Sequence, residues 1–181
     1  MNTLRRSSWL RLTEERNALD YLERAYKFIR EAATEPLAWK WVVIALHGAL
    51  YGFAICACKG TNPNNVTIKT KTGKERLITL KDALKRCEDP KSMRIFTMSR
   101  HLQLSSQQRE SIHKLRDVLR NPFEHYTPRL WAIEVDGMPQ IAIDVLGVIR
   151  FLALETENCV HLNLAQRRSI ESLVMRSIRT L

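Results

Sequence analysis

A largely apolar run of 18 residues, Trp41–Cys58, constrains the fold of this 181-residue chain more than any other feature. Lys40 and Lys59 flank the run, and its length is at the lower limit for a helix that crosses a membrane. A helix that is apolar on every side is equally typical of the centre of a soluble bundle. No other segment resembles a second span, which favours the bundle. The run is interrupted by four polar or small residues, His47, Gly48, Tyr51 and Gly52.

The charge balance indicates a polyanionic partner. Lys and Arg number 29 against 19 Asp and Glu, which gives a formal net charge of +10. Such a surplus suits nucleic acid, an anionic membrane surface or an acidic protein. Hydrophobic residues make up 45% of the chain, enough to build a core and to exclude disorder throughout. Only 6 Gly and 6 Pro are present, which disfavours turn-rich β-sandwiches and propellers.

The cysteines predict no chemistry of their own. Their spacing forms neither a zinc-binding pair nor a disulfide framework, so we expect buried, inert thiols and a reducing cytoplasm. A metal site is the less favoured alternative, and we expect no cofactor. The four residues are Cys56, Cys58, Cys87 and Cys159.

Capping residues and apolar periodicity predict several long helices. Thr13, Thr79 and Asp144 suit helix N-caps, and Ser105 with Gln108 forms a capping box. The last helix buries an apolar face and exposes several arginines. The predicted helices cover about 13–34, 36–59, 80–87, 144–158 and 164–181, with a further one from 105 onward whose inner face is Ile112, Leu115 and Leu119.

Two segments suggest β-hairpins. The segment 66–78 alternates around Gly73, and the segment 130–143 has Asp136–Gly137 as its turn. The first lies in an irregular basic insert at about 60–104. We therefore predict a single domain over 1–181, with an all-α, antiparallel helix bundle and one or two small β-hairpin excursions.

A basic stripe follows the helix that begins at Ser105. Its members are spaced by three or four residues and share one face. They can line a path for RNA, or they can form an ordinary solvated face. The stripe consists of Arg109, His113, Arg116 and Arg120.

The stretch that follows the stripe carries the candidate chemistry. Pro122 disfavours a continuous helix, so Asn121 should cap a new turn with Glu124 completing the box. Such a kink would bring Arg120 and His125 into one concave site. A histidine exchanges protons near neutral pH, and a guanidinium matches phosphate oxygens, so the pair suits phosphodiester chemistry.

Each of these residues can also have a purely structural role, without taking part in catalysis. Arg120 can pair with Asp117 or Glu124 at a helix end. Asn121 can act only as a cap, and His125 can hydrogen-bond a buried carbonyl.

The pattern Arg120-Asn121-x-x-x-His125 resembles the R-x4-6-H motif of the HEPN superfamily (higher eukaryotes and prokaryotes nucleotide-binding). The helix containing Trp39, Trp41 and Ala45–Leu50 is similar to the second helix of such proteins. The resemblance covers the helices at 13–59 and 105–181 and leaves out the insert. In HEPN toxins that are paired with a minimal nucleotidyltransferase, a modified Tyr stands two places after the His. Here Thr127 has that place and Tyr126 precedes it.

The resemblance implies a metal-independent endoribonuclease that cleaves through the 2′-OH, leaving 2′,3′-cyclic phosphate and 5′-OH ends. Arg120, Asn121 and His125 would be catalytic, with Glu124 and Tyr126 as site neighbours. It further implies a homodimer with a composite site, and a toxin or defence effector with a possible antitoxin protein. A non-catalytic RNA- or nucleotide-binding or dimerisation module is the alternative. RNA contacts would come from Arg109, His113 and Arg116.

Overall fold

The computed structural model describes residues 9–125 and 130–181, and these form a mostly α-helical fold with one small hairpin. This confirms the predicted fold class. Two π-helical segments, Lys114–Arg120 and Phe151–Glu155, continue α5 and α7, and a 3₁₀ turn spans Pro63–Val66. The helices and strands are α1 (Glu14–Ala32), α2 (Ala38–Lys59), β1 (Thr67–Lys69), β2 (Glu75–Leu77), α3 (Leu80–Glu88), α4 (Pro90–Met93), α5 (Ser106–His113), α6 (Asn121–Glu124), α7 (Met138–Arg150) and α8 (Leu164–Thr180).

The apolar helix α2 is the centre of the bundle. It contacts α1, α3, α7 and both π-helical segments. By length and composition α2 could span a membrane, with a mean hydropathy of 1.9 over its apolar window. However, 67% of that window is buried inside the protein, which is the arrangement of a core helix.

Helices α1 and α2 are antiparallel and lie unusually close together. Thr13 accepts a hydrogen bond from the backbone N–H of Arg16 and starts α1, as predicted. A Cβ atom on Gly52 would lie only 2.6 Å from the Cβ of Ala18. One on Gly48 would meet the Tyr21 ring at 2.5 Å. The two glycines therefore set the spacing between the helices.

A largely buried ion pair joins the start of α1 to the end of α2. The Lys59 ammonium donates to Glu15 at 3.1 Å and to Glu14 at 3.2 Å. Burial works against the charged lysine, but these two carboxylates raise its pKa above the ordinary value. Burial also opposes ionisation of Glu15, but a backbone hydrogen bond and Lys59 lower its pKa. The buried charges of Lys59 and Glu15 therefore compensate each other.

The insert forms the predicted hairpin and a helix that belongs to the core. Strands β1 and β2 pair antiparallel, with Thr67 opposite Leu77 and Lys69 opposite Glu75. Thr79 accepts from the backbone N–H of Asp82 and starts α3. The apolar face of α3 is buried against α2, so the insert contributes to the core as well as to the surface.

The second predicted hairpin is wrong. Within the described residues 130–137 no strand forms, and the helix α7 begins at Met138. Pro139 suits the first turn of a helix, and Ala142, Val145 and Ile149 are buried at helical spacing. Asp144 is therefore inside α7 rather than its cap, where it accepts a hydrogen bond from Ser111 at 2.6 Å.

All four cysteines are buried, as predicted, and none forms a disulfide within the described residues. The sulfur atoms of Cys58 and Cys87 approach to 3.4 Å between α2 and α3. Burial raises the pKa of Cys159 to about 12. Across residues 9–125 and 130–181, no three His, Cys, Asp or Glu side chains come together as metal ligands.

Candidate functional site

The helix that carries the motif runs on through Asn121 without the predicted break. Asn121 has helical backbone angles (φ −61°, ψ −49°), and its side chain makes no capping bond to α6. A proline ring clashes with the carbonyl group four residues earlier in an α-helix. Here the seven residues before Asn121 form a wider π-helix, in which the chain accommodates Pro122 and continues to Glu124. The predictions of a break and of an Asn121 cap are therefore wrong.

Because the helix continues, Arg120 and Glu124 share one face. The Arg120 Nη2 atom lies 2.5 Å from the Glu124 carboxylate, and its Nη1 atom lies 3.1 Å from the side-chain oxygen of Asn121. The structure thus shows the carboxylate pairing foreseen for Arg120. The Nε atom of Arg120 is buried and has no partner within the described part of the chain. The side chain as a whole remains 28% exposed.

Arg120 and Glu124 form one wall of a cleft of about 360 Å³. The other walls come from α1, from α2 and from the end of the hairpin. Four of the lining residues are the four that interrupt the apolar run of α2. The cleft is lined by Glu14, Asn17, Tyr21, Ile44, His47, Gly48, Tyr51, Gly52, Ile55, Leu77, Arg120 and Glu124.

His47 is the second nitrogen-bearing side chain of the cleft. Burial, and after it the positive charge of the Arg120 guanidinium, lowers the pKa of His47 to about 4. The Glu124 carboxylate opposes the shift but does not overcome it. At neutral pH the imidazole is therefore uncharged and offers one N–H donor and one lone pair to a ligand.

His125 lies at the end of α6, next to the cleft wall in sequence but outside the set of residues that lines the cleft. Its backbone N–H donates to the Asn121 carbonyl at 2.9 Å, and the residue is exposed. The structure therefore places Arg120 in the cleft and His125 at the adjoining surface. Tyr126, the other predicted site neighbour, lies outside the described residues, as does Thr127.

The basic stripe is neutralised by carboxylates. Arg109 pairs with Glu88, and His113 and Arg116 both contact Asp117, at 2.7 Å and 2.5 Å. Hydrogen bonds from Arg116, and then from His113, hold the pKa of Asp117 at about 2, so its charge persists at any physiological pH. The residues predicted to contact RNA thus belong to a face with internal ion pairs.

No protein-family model, curated protein or solved structure matches the chain. A functional assignment therefore depends on the chemistry of the site itself.

Sequence reasoning missed the α1 and α2 walls of the cleft. No site role was predicted for His47, Tyr21, Asn17 or Tyr51. A signal was nevertheless present, because His47 and Tyr51 are spaced by four residues and so share one face of an otherwise apolar helix. A polar face on a core helix indicates a lined cavity or a groove.

Proposed function

We propose that this protein is a cytoplasmic, metal-independent endoribonuclease that acts as a homodimer, with Arg120 and His125 as its essential groups. The observation that carries the proposal is the Arg120 guanidinium, which is held on a helix wall and lines a cleft. Its Nε donor is buried and has no partner among residues 9–125 and 130–181. A phosphate group is the ligand that best satisfies such a fork of donors. The R-x4-H spacing then supplies a histidine one residue beyond Glu124, at the end of the cleft wall.

The chemistry would follow the route implied by the HEPN-like motif. His125 removes the proton from a ribose 2′-OH, and the resulting oxyanion attacks the adjacent phosphorus. The bond to the 5′-oxygen breaks, and that oxygen receives a proton from the second copy of the motif in the dimer. Arg120 stabilises the additional negative charge on the phosphorane. The products carry a 2′,3′-cyclic phosphate and a 5′-OH, and DNA is excluded because it lacks the attacking hydroxyl.

Glu124 would compete with the RNA phosphate for the Arg120 guanidinium. Its carboxylate occupies one terminal nitrogen of the guanidinium at 2.5 Å. An incoming phosphate must share or displace that contact, whereas Asn121 holds the other terminal nitrogen from the side. Asn121 and Glu124 are thus positioning residues in this proposal.

A second candidate function is a non-catalytic RNA- or nucleotide-binding or dimerisation module. It is favoured by one observation, that His125 does not line the cleft that contains Arg120. In that case the cleft would bind a nucleotide without cleaving it. An antitoxin protein would be a partner under the catalytic proposal, as part of a toxin or defence system.

The test is cleavage of end-labelled RNA in EDTA by the purified protein and by two substituted proteins, Arg120→Ala and His125→Ala. Exposed residues outside the cleft provide matched controls, Arg168→Ala and His161→Ala. We expect cyclic-phosphate products from the wild type and both controls, and a loss of at least about 100-fold in each motif variant.

Circular dichroism would verify that every variant is folded. RNA binding without cleavage by any of the proteins would establish the binding module instead. Cleavage that survives in folded His125→Ala would refute the catalytic assignment.

A further inference from the structure

Within residues 9–125 and 130–181, unpaired positive charge lies on the hairpin rather than on the basic stripe. The insert at 60–104 contains ten Lys and Arg against four Asp and Glu. Four exposed cations belong to the hairpin and make no ion pair among the described residues, whereas every member of the stripe is paired. We call these four the hairpin cations: Lys69, Lys71, Lys74 and Arg76.

The hairpin is fixed at the edge of the cleft. Leu77, at the end of β2, is one of the residues that line it. The Tyr51 hydroxyl, also in the cleft lining, donates to the Ile78 carbonyl at 2.5 Å. Burial raises the pKa of the Tyr51 phenol, and the charge of Arg76 acts against that rise, so this hairpin cation reaches the cleft electrostatically. The hairpin that bears these cations is thus attached, through Leu77 and Ile78, beside the cleft that Arg120 lines.

We propose that the hairpin cations bind the phosphodiester backbone of single-stranded RNA and direct it into the cleft at Arg120. The cleavage of the bound RNA rests on the proposed function, whereas its binding by the hairpin cations does not. A cleft of about 360 Å³ has room for unpaired nucleotides and not for a duplex. The aromatic walls, Tyr21 and Tyr51, offer surfaces of the kind against which single-stranded bases pack.

An anionic membrane is a poorer partner for the same charges. Peripheral membrane segments combine basic residues with apolar side chains that enter the lipid. The turn of this hairpin, residues 70–74, consists of Thr, Lys, Thr, Gly and Lys, and so has nothing to insert. The turn, where two of the four cations lie, therefore offers charge and hydrogen-bond donors without an apolar anchor.

The test measures affinity separately from cleavage. Fluorescence anisotropy would follow the binding of a short, labelled, single-stranded RNA with 2′-O-methyl groups, which lacks the attacking hydroxyl. The variant changes all four hairpin cations to Gln. Its control removes four other exposed charges, none of which lines the cleft: Lys91→Gln, Arg94→Gln, Arg168→Gln and Arg179→Gln.

Each lost phosphate contact should reduce the slope of log affinity against log salt by about 0.7 and, in about 0.1 M salt, the affinity by about fivefold. With at least two of the four in contact, we expect the hairpin variant to lose at least about 25-fold in affinity and the control to lose far less. A triple Lys→Arg variant at 69, 71 and 74 should keep the wild-type affinity, because it keeps the charge. Thermal unfolding would verify that all the proteins are folded.

Equal losses of affinity in the hairpin variant and its control would overturn the proposal. RNA binding would then depend on the net charge of the protein and not on where the cations lie. So would the absence of RNA binding by the wild type, or hairpin-dependent sedimentation with phosphatidylserine vesicles in place of RNA binding. Hairpin-dependent binding with no cleavage of unmodified RNA would uphold this inference and refute the catalytic function.

Discussion

Acidification should destabilise the fold through His47. In an unfolded chain a histidine titrates near pH 6.5, whereas in the folded protein the pKa of His47 is about 4. As the pH falls through this interval, His47 becomes protonated in the unfolded state but stays neutral in the folded state. The stability that His47 contributes is therefore complete above about pH 6.5 and is lost progressively towards pH 4.

The size of the effect follows from the shift. A difference of about 2.5 pKa units corresponds to about 3.4 kcal/mol, and the partial exposure of the side chain reduces the expected loss to about 2 kcal/mol. The charged groups that act on the imidazole are Arg120 and Arg116, which oppose protonation, and Glu124 and Asp117, which favour it. Both carboxylates are in ion pairs with those arginines, so burial decides the direction.

The assay is urea unfolding at several values between about pH 7 and pH 4, followed by circular dichroism. His47→Gln keeps a neutral polar side chain and should remove about 2 kcal/mol of the decline in unfolding free energy over this range. His161→Gln, at an exposed position, controls for the loss of an imidazole. NMR titration of the ring protons would locate the pKa of His47 directly. A pKa of 6 or higher in the folded protein, or an unchanged decline in His47→Gln, would refute the reasoning.

Three further predictions concern the core. Lys59→Met should lower the unfolding free energy by about 3 kcal/mol at neutral pH, because it strands the buried Glu15 carboxylate. In urea unfolding this cost should shrink at acidic pH, where Glu15 is protonated, and a cost independent of pH would contradict it. Gly52→Ala should destabilise by about 1–3 kcal/mol by calorimetry, since the overlap with Ala18 outweighs a gain in helix propensity of about 1 kcal/mol. The four cysteines should resist Ellman's reagent in the native protein and all react in urea, so rapid native labelling would count against their burial.

Local chemistry was sufficient to predict where several helices begin. Thr13, Thr79 and Ser105 each accept a hydrogen bond from a backbone N–H three residues later. Such a capping bond depends only on residues that are neighbours in sequence, so the start of the helix can be predicted from the sequence alone. The burial of the apolar run in α2 followed in the same way from its composition.

The errors arose where packing at a distance outweighs local preference. Pro122 predicts a helix break, but the preceding turns widen into a π-helix and relieve the clash. No local sequence pattern predicts that π-helix. Ile141–Ile143 is too short to distinguish strand from helix until the buried partners of α7 are known. The cleft eluded prediction because Tyr21, His47 and Arg120 are far apart in the chain and meet only after folding.

The π-helical segment Lys114–Arg120 keeps the two ends of one helix in register with the core and with the cleft. Its wider turns absorb about one residue more than an α-helix of the same rotation, so Ile112 faces the core while Glu124 faces the cleft. If the same residues closed into an ordinary α-helix, every later residue would rotate by about one further residue step, about 100°, and Glu124 would turn away from the cleft. Deleting one exposed residue here, such as Val118, would instead let an α-helix form with Glu124 nearly in place. The gain of one codon, absorbed by a wider turn, is therefore a route by which such a segment could arise without displacing the residues on either side.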